Sequence, residues 1–383
     1  MKRTFKLLSF IISFSVLVTM FIVNTPTKAC ADSSYKSKSV YLYDFNTNTE
    51  LFAVNENKRL PIASMTKIML LNLIYENLEK GNVSLDEEVV ASENASGMGG
   101  SQVYLECGGK YKVSELIKAI TVASANDASV CMAERLYGSE ENCVEKMNEK
   151  VKELGLNNTL FSNCTGIPKP MQYSTSKDIV MIFKDLIKYE KYFDYSNIWM
   201  DTIQHSKNST EISNTNKLIK HYNGCDGGKT GFTNEAGFCL TATAKRGNMR
   251  LISAVIGAPD SKTRFKECSD LLNYGFNTYK NVAVIDNLYP LEEKAQISNA
   301  KIKDIEVIPE NSFFVIAKKN EKPSVDFKIN YFNLKAPIVK NDIIGEIVVY
   351  NNGVEVGKVN LLSNENVQKM NYFDYIKEIS KNI

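Results

Sequence analysis

Hydrophobic and polar positions change period several times along the chain, and each change predicts a different element. The run from Leu7 to Val23 is almost wholly apolar, follows Lys2, Arg3 and Lys6, and ends before the small residues Ala29 and Ala31. This predicts a secretory signal peptide over residues 1–31 and a mature, exported chain starting near Asp32. A retained N-terminal anchor is the alternative, because the run approaches membrane-spanning length. Lipid attachment through Cys30 fits less well, since Thr27 and Lys28 stand where apolar and small residues are needed.

Residues 39–55, "SVYLYDF" and "TELFAVN" around Asn46-Thr47-Asn48, alternate and predict a β-hairpin. Ile68, Leu71, Ile74, Tyr75 and Leu78 then mark one helical face, with Gly81 as its stop. Between about 113 and 192, "VSELIKAITVA", "DASVCMAERLYG", "SEENCVEKMNEKVKELG" and "STSKDIVMIFKDLIKYEKYF" predict four helices, three opened by Ser, Thr or Asp. "GFCLTATAKRGNMRLISAVIG" reads as two strands joined through Arg246, Gly247 and Asn248, and "RFKECSDLLNYGF" as one more helix. The order predicts an α+β domain over 32–280, an antiparallel sheet with a helical subdomain.

From 283 to 362 the segments "DIEVIP", "SFFVIAK", "VDFKINYF" and "IGEIVVYNNGVEVGKVNLL" are short strands, the last folding back through Asn351-Asn352-Gly353. They predict a small β-sandwich. Over 366–383, Val367, Met370, Phe373, Ile376, Ile379 and Ile383 recur at three- and four-residue intervals, with Lys369, Lys377 and Lys381 elsewhere on the wheel. Two readings stand: a terminal helix packed on its own domain, or an amphipathic helix on a membrane surface.

About 350 mature residues exceed one comfortable core, which agrees with two domains. A net charge of +2 without a basic stripe argues against nucleic acid as a partner. Lysine outnumbers arginine 40 to 6, and Asn and Ile are abundant, as in chains from AT-rich bacterial genomes. Seven cysteines remain after processing, an odd number with no C-x-x-C pair, so no disulfide framework is indicated.

Only His205 and His221 exist, and neither lies in a context that suggests a Ser-His-Asp triad or a zinc site. Both read as surface residues. No local pattern calls for paired carboxylates either. Three short motifs stand out: Ser64-Met65-Thr66-Lys67 at a helix start, Ser124-Ala125-Asn126 between two helical patterns, and Lys229-Thr230-Gly231 before the late strands. Each is weak alone, and Ser64 with Lys67 fits an ordinary solvated helix face. In this order, about sixty and one hundred residues apart behind a signal peptide, they form the S-x-x-K, S-x-N, K-T-G set of penicillin-interacting serine enzymes.

With "MGGSQVYL", "SANDASVCMAE", "MNEKVKELGLNNTLFSNCTG", "NTNKLI", "GGKTGFTNEAGFCLTATA" and "LLNYGF", the chain resembles the D-alanyl-D-alanine carboxypeptidases, low-molecular-mass penicillin-binding proteins, over nearly all of 35–280. Ile167 in "TGIP" stands where Leu is usual in that family. The resemblance implies a β-lactamase/transpeptidase-like fold, hydrolysis of peptidoglycan stem peptides without metal or organic cofactor, and covalent binding of β-lactams. It implies Ser64 as nucleophile, Lys67 as general base and Ser124 as proton relay. Asn126, Lys229, Thr230 and Gly231 would bind substrate, and the backbone N–H groups of Ser64 and Phe232 would form the oxyanion hole. The β-rich segment and terminal stretch resemble that family's second domain and membrane anchor.

The residue types suit these roles. Three positions apart on a helix, Ser64 and Lys67 share a face. An amine becomes a base when burial or a neighbouring cation such as Lys229 lowers its pKa. A class A β-lactamase is the enzymatic alternative, though no deacylating glutamate is evident between Asn126 and Lys229. A catalytically silent wall-binding protein is the other.

Overall fold

Strands Ser39–Asp44 (β1) and Thr49–Val54 (β2) form the expected hairpin, but β1 is buried at all six positions. It lies inside a five-stranded antiparallel sheet of order β2-β1-β5-β4-β3, where β3 is Cys225–Thr233, β4 is Gly237–Arg246 and β5 is Met249–Ala258. A strand covered on both faces tolerates apolar residues at consecutive positions. β3 is an outer strand, bonded on one side only, and it carries Lys229 to Phe232. The computed structural model describes residues 35–332 and 334–381; the signal peptide expected over 1–31 lies outside them. Among the described residues, no helix is long and apolar enough to cross a membrane.

Helix α1 (Lys67–Glu79) is buried continuously from Lys67 to Tyr75, not along one face as its periodicity predicts. Its surroundings explain this: α1 is the central helix, packed against α2 (Asn126–Tyr137), α3 (Glu140–Glu153) and α4 (Ser176–Leu186). Helix α3 is capped by Ser139 Oγ, which accepts from Asn142 N at 3.2 Å, and α4 by Thr175 Oγ, which accepts from Asp178 N at 3.0 Å. Both caps match the sequence signals.

Two predicted helices are interrupted. The segment beginning at Val113 is α-helical to Lys118, then widens into a π turn over Ala119–Ala123 that delivers Ser124. The segment 174–193 ends its helix at Leu186 and restarts over Tyr192–Ser196. The break lets the buried Tyr192 turn under β3, where its hydroxyl accepts from Gly228 N at 3.1 Å. A straight helix could not make that contact. Helix α5 (Ser261–Thr278) packs across β4 and β5.

After α5 the chain is all-β up to Ser363. Tyr279–Ile285 (β6) pairs with Phe313–Lys318 (β8), and a four-stranded antiparallel sheet runs β7-β11-β10-β9, with β7 Val307–Pro309, β9 Val325–Tyr331, β10 Ile343–Asn351 and β11 Val354–Ser363. The β10–β11 turn uses Asn352 at φ +52° and Gly353 at φ +77°, as its Asn-Gly sequence requires. Its apolar cluster, including Ile305, Val307, Ile347, Val349, Leu361 and Val367, is separate from the one that surrounds α1. Helix α6 (Tyr372–Lys381) follows. Val367 is 2 % exposed and exchanges both backbone hydrogen bonds with Ile338, whereas Tyr372, Phe373 and Ile376 stand in solvent. The seven described cysteines are free thiols, all buried except Cys107.

Candidate active site

The turn that carries Ser64 begins with strain. Ala63 holds φ +48°, and Ala63–Thr66 then form a single 3₁₀ turn before α1 starts at Lys67. In 3₁₀ geometry residues i and i+3 eclipse, so the Ser64 and Lys67 side chains lie above one another more directly than on an α-helix. Lys67 Nζ is 3.2 Å from Ser64 Oγ. Two glycines clamp the turn from either side. A Cβ on Gly166 would fall 2.1 Å from Ala63 O, and one on Gly231 would fall 2.5 Å from Ile62 O. Only backbone can approach so closely.

Lys67 is fully buried, and it also donates to Asn126 Oδ1 at 2.7 Å and to Thr165 O at 2.6 Å. Burial lowers its pKa to about 7, against opposing contributions from Cys164 and Asp127. A neutral amine keeps two hydrogens and gains a lone pair. The two shorter contacts hold those hydrogens on carbonyl oxygens, which leaves the lone pair facing the Ser64 hydroxyl.

Ser124 ends the π turn at φ +63°, a sparsely populated conformation for serine, and its Oγ accepts from Lys229 Nζ at 2.7 Å. Lys229 is 1 % exposed and donates also to Thr230 O at 3.2 Å. Its pKa lies well below the ordinary lysine value because of burial first, then Lys67 and Arg264. Asn126 opens α2; its Oδ1 faces Lys67 while its Nδ2 donates to Gly99 O at 2.7 Å, so one of its two amide hydrogens is already taken. The eight residues singled out from the sequence thus fall into two bonded groups, Ser64-Lys67-Asn126 and Ser124-Lys229-Thr230, beside the glycine and phenylalanine that complete β3. The half-exposed Phe232 side chain packs at a tilt against Phe238 at a centroid distance of 4.3 Å.

Three contributors carry no signal in the motif set. Thr165 supplies a carbonyl from "NCTG", a peptide group that no residue type could advertise. Arg264, on α5, donates to Gly231 O at 3.2 Å and Cys239 O at 3.3 Å, adding buried positive charge beneath β3. Asp127 is fully buried and accepts from Val103 N at 3.0 Å and Leu105 N at 3.1 Å. It fastens the loop before Asn126 and leaves Tyr104 exposed at φ +63°. A charged residue directly after Ser-x-Asn, at a helix start among apolar positions, was the available clue. His205 is half-buried between Tyr111 and Thr210, not a surface residue as expected, and contacts none of these groups.

Residues 24–260 match the D-alanyl-D-alanine carboxypeptidase family, and residues 279–369 match the penicillin-binding protein 5 C-terminal domain. The chain is 38% identical over 356 residues to D-alanyl-D-alanine carboxypeptidase DacF of Bacillus subtilis, covering 91% of this chain and 90% of that protein. It is 30% identical to DacC of Escherichia coli, with the same coverage of each, 91% and 90%. Penicillin-binding protein 5 of Haemophilus influenzae has a similar structure, with a TM-score of 0.71, 28% identity, and coverage of 89% of this chain and 100% of that one. The fold, the order of the motifs and these matches agree: the chain belongs to the D-alanyl-D-alanine carboxypeptidase family of serine hydrolases.

Proposed function

We propose that this protein removes the terminal D-alanine from peptidoglycan stem pentapeptides through an acyl-enzyme on Ser64. The observation that carries this reading is the environment of Lys67: a buried amine near neutral pKa whose hydrogens are held by Asn126 and Thr165 while Ser64 Oγ lies 3.2 Å away. Lys67 takes the Ser64 proton as Oγ attacks the penultimate D-alanine carbonyl. The oxyanion forms against the backbone N–H groups of Ser64 and Phe232. Ser124, bonded to Lys229, relays the proton held by Lys67 to the departing amine, which leaves Lys67 neutral again. Lys229 and the Thr230 hydroxyl bind the terminal carboxylate, and that anion supplies the countercharge buried Lys229 lacks in the free enzyme. Asn126 offers its remaining amide hydrogen to the substrate peptide group, and Gly231 lets the substrate lie against β3 as an added edge. Water then hydrolyses the ester.

This reading is favoured over a β-lactamase because, among the described residues, no Asp or Glu oxygen hydrogen-bonds Ser64 or Lys67 to activate a deacylating water. Intact Ser64, Lys67, Ser124, Asn126 and Lys229, bonded within the two groups, give a silent wall-binding protein no support. The corresponding organisation is a signal peptide over 1–31, a catalytic domain over 32–280, a small β-sandwich over 283–362 and, within the amphipathic stretch 366–383, a membrane-surface helix that starts only at Tyr372, because Val367 belongs to the β-domain core. The enzyme would work outside the cytoplasmic membrane, and the exposed Tyr372, Phe373 and Ile376 would rest on that surface. Mass spectrometry of D-alanine release from a muramyl pentapeptide tests the activity: release by the wild-type protein is expected, and no release would overturn it.

A further inference from the structure

Strands Met200–Gln204 and Ser209–Ser213 form a hairpin, and the loop that leaves it, Asn214-Thr215-Asn216 of "NTNKLI", bonds to both elements that carry the Ser124–Lys229 pair. Thr215 N donates to Val122 O at 3.2 Å, and Asn216 Nδ2 donates to Gly227 O at 3.3 Å. Each accepting carbonyl lies two residues before a member of that pair. Asn216 is buried, its Oδ1 accepts from Leu218 N at 3.1 Å, and a Cβ on Gly228 would fall 2.8 Å from its Nδ2. Asn214 fixes the loop from behind: its Nδ2 donates to Ser196 O at 3.0 Å and Ile198 O at 2.9 Å, and its Oδ1 accepts from Asn216 N at 2.9 Å. The hairpin is also fastened to the start of the π turn. There the buried Lys118 Nζ pairs with Asp201 Oδ2 at 3.2 Å and donates to Thr202 O at 3.2 Å.

Ser124 needs such support. It holds φ +63° at the end of a π turn, and a strained conformation persists only where the surrounding structure imposes it. Its 2.7 Å hydrogen bond from Lys229 joins side chains 105 positions apart, and separating their elements by about 1 Å would break it. We infer that Asn216 is a positioning residue: with the Thr215 N–H and Lys118 it spaces the π turn from β3, and so holds Ser124 Oγ on Lys229 Nζ for the proton relay. This step rests on the function proposed above.

Leaving groups separate this role from general support of the fold. In peptide cleavage the bond from Ser64 Oγ to the carbonyl carbon forms, the C–N bond breaks, and the proton that Lys67 takes from Ser64 passes through Ser124 to the amine. The matching thiolester has thioglycolate in place of the terminal D-alanine. Its C–S bond breaks with the electron pair departing on sulfur as a thiolate, so no relayed proton is needed. Both probes, diacetyl-L-Lys-D-Ala-D-Ala and this thiolester, keep the terminal carboxylate and give the same acyl-enzyme. Asn216→Ser retains an oxygen able to cap Leu218 N but cannot reach Gly227 O. Its ratio of kcat/KM for peptide over thiolester is expected to fall at least about ten-fold below the wild-type ratio, and Lys118→Met should move the ratio the same way. An equal loss on both probes, or no loss on either, overturns the inference. If Asn216→Ser does not fold, Lys118→Met decides by the same ratio: a fall supports the inference and an unchanged ratio overturns it. Failure of the underlying reading looks different: the wild type turns over neither probe and penicillin leaves no adduct on Ser64.

Discussion

The ammonium nitrogen of Lys67 lies 2.6 Å from the carbonyl oxygen of Thr165, closer than it lies to Ser64 Oγ at 3.2 Å. A backbone oxygen from a loop orients the proposed base together with the Asn126 side chain at 2.7 Å. Because the adjoining Gly166 presses on Ala63, the same loop fixes both the turn that carries Ser64 and the Lys67 amine.

Removing the nucleophile tests the chemistry most directly. Ser64→Ala should abolish D-alanine release while the protein keeps its unfolding midpoint, since one oxygen is lost from the packing. Lys67→Ala should lower kcat/KM by about 10³-fold or more. Substantial turnover by purified Ser64→Ala protein would sink the mechanism.

Acylation should follow the ionisation of Lys67. Its pKa of about 7 in the folded protein means that the amine is protonated at lower pH and free above it, so the rate of Ser64 acylation rises through about pH 7 and then levels off. The same proton count gives a stability effect. Between about 7 and the ordinary value of 10.5 the unfolded chain binds one proton more at this residue than the folded one, so the contribution of Lys67 to stability rises with pH across that window. Stopped-flow acylation across pH 5.5–9 checks the first, an expected range chosen about the pKa. A flat profile would exclude Lys67 as the base.

Gly166→Ala should both destabilise the protein, by about 2–4 kcal/mol, and cripple acylation. Position 166 combines φ +87° with a Cβ that would meet Ala63 O at 2.1 Å and Ser64 N at 2.8 Å. Denaturant unfolding and adduct formation measure the two effects. Wild-type values for both would mean that the loop and nucleophile turn are not in the described contact.

β-Lactams should leave a lasting adduct. The opened ring stays attached to the acyl group and obstructs water, whereas free D-alanine diffuses away. Intact-mass measurement after mixing with excess penicillin should find a penicilloyl group on Ser64 that persists for minutes. Rapid drug loss without an adduct would point to a β-lactamase instead.

Truncation after Asn371 should yield active enzyme released from membranes. The site of the cut matters, because Val367 is paired with Ile338 in the β-domain core and Met370 N donates to Asn299 O at 2.9 Å. A cut after Asn364 would remove core residues along with the helix. Membrane association of the signal-processed Asn371 truncation, measured by fractionation, would show that the exposed face of α6 is not the anchor.

The sequence by itself determined the elements whose period or punctuation is local: the β1–β2 hairpin, the Ser139 and Thr175 caps, the Asn352-Gly353 turn, and the order of the three motifs. Backbone propensity and the alternation of apolar residues act over a few positions, so they are legible there. Tertiary structure decided the rest, because it depends on groups far apart in the chain. Lys67 reads as an ordinary helix residue until Asn126 and Thr165, 59 and 98 positions away, enclose it and lower its pKa. The π turn at Ser124 and the 3₁₀ turn at Ser64 were likewise invisible, since both are departures from helical geometry imposed by close packing. The terminal stripe looked continuous from Val367 onward, yet burial divides it, with Val367 in the β-domain core and Phe373 and Ile376 in solvent. Periodicity records which residues are apolar, and only packing settles what covers them.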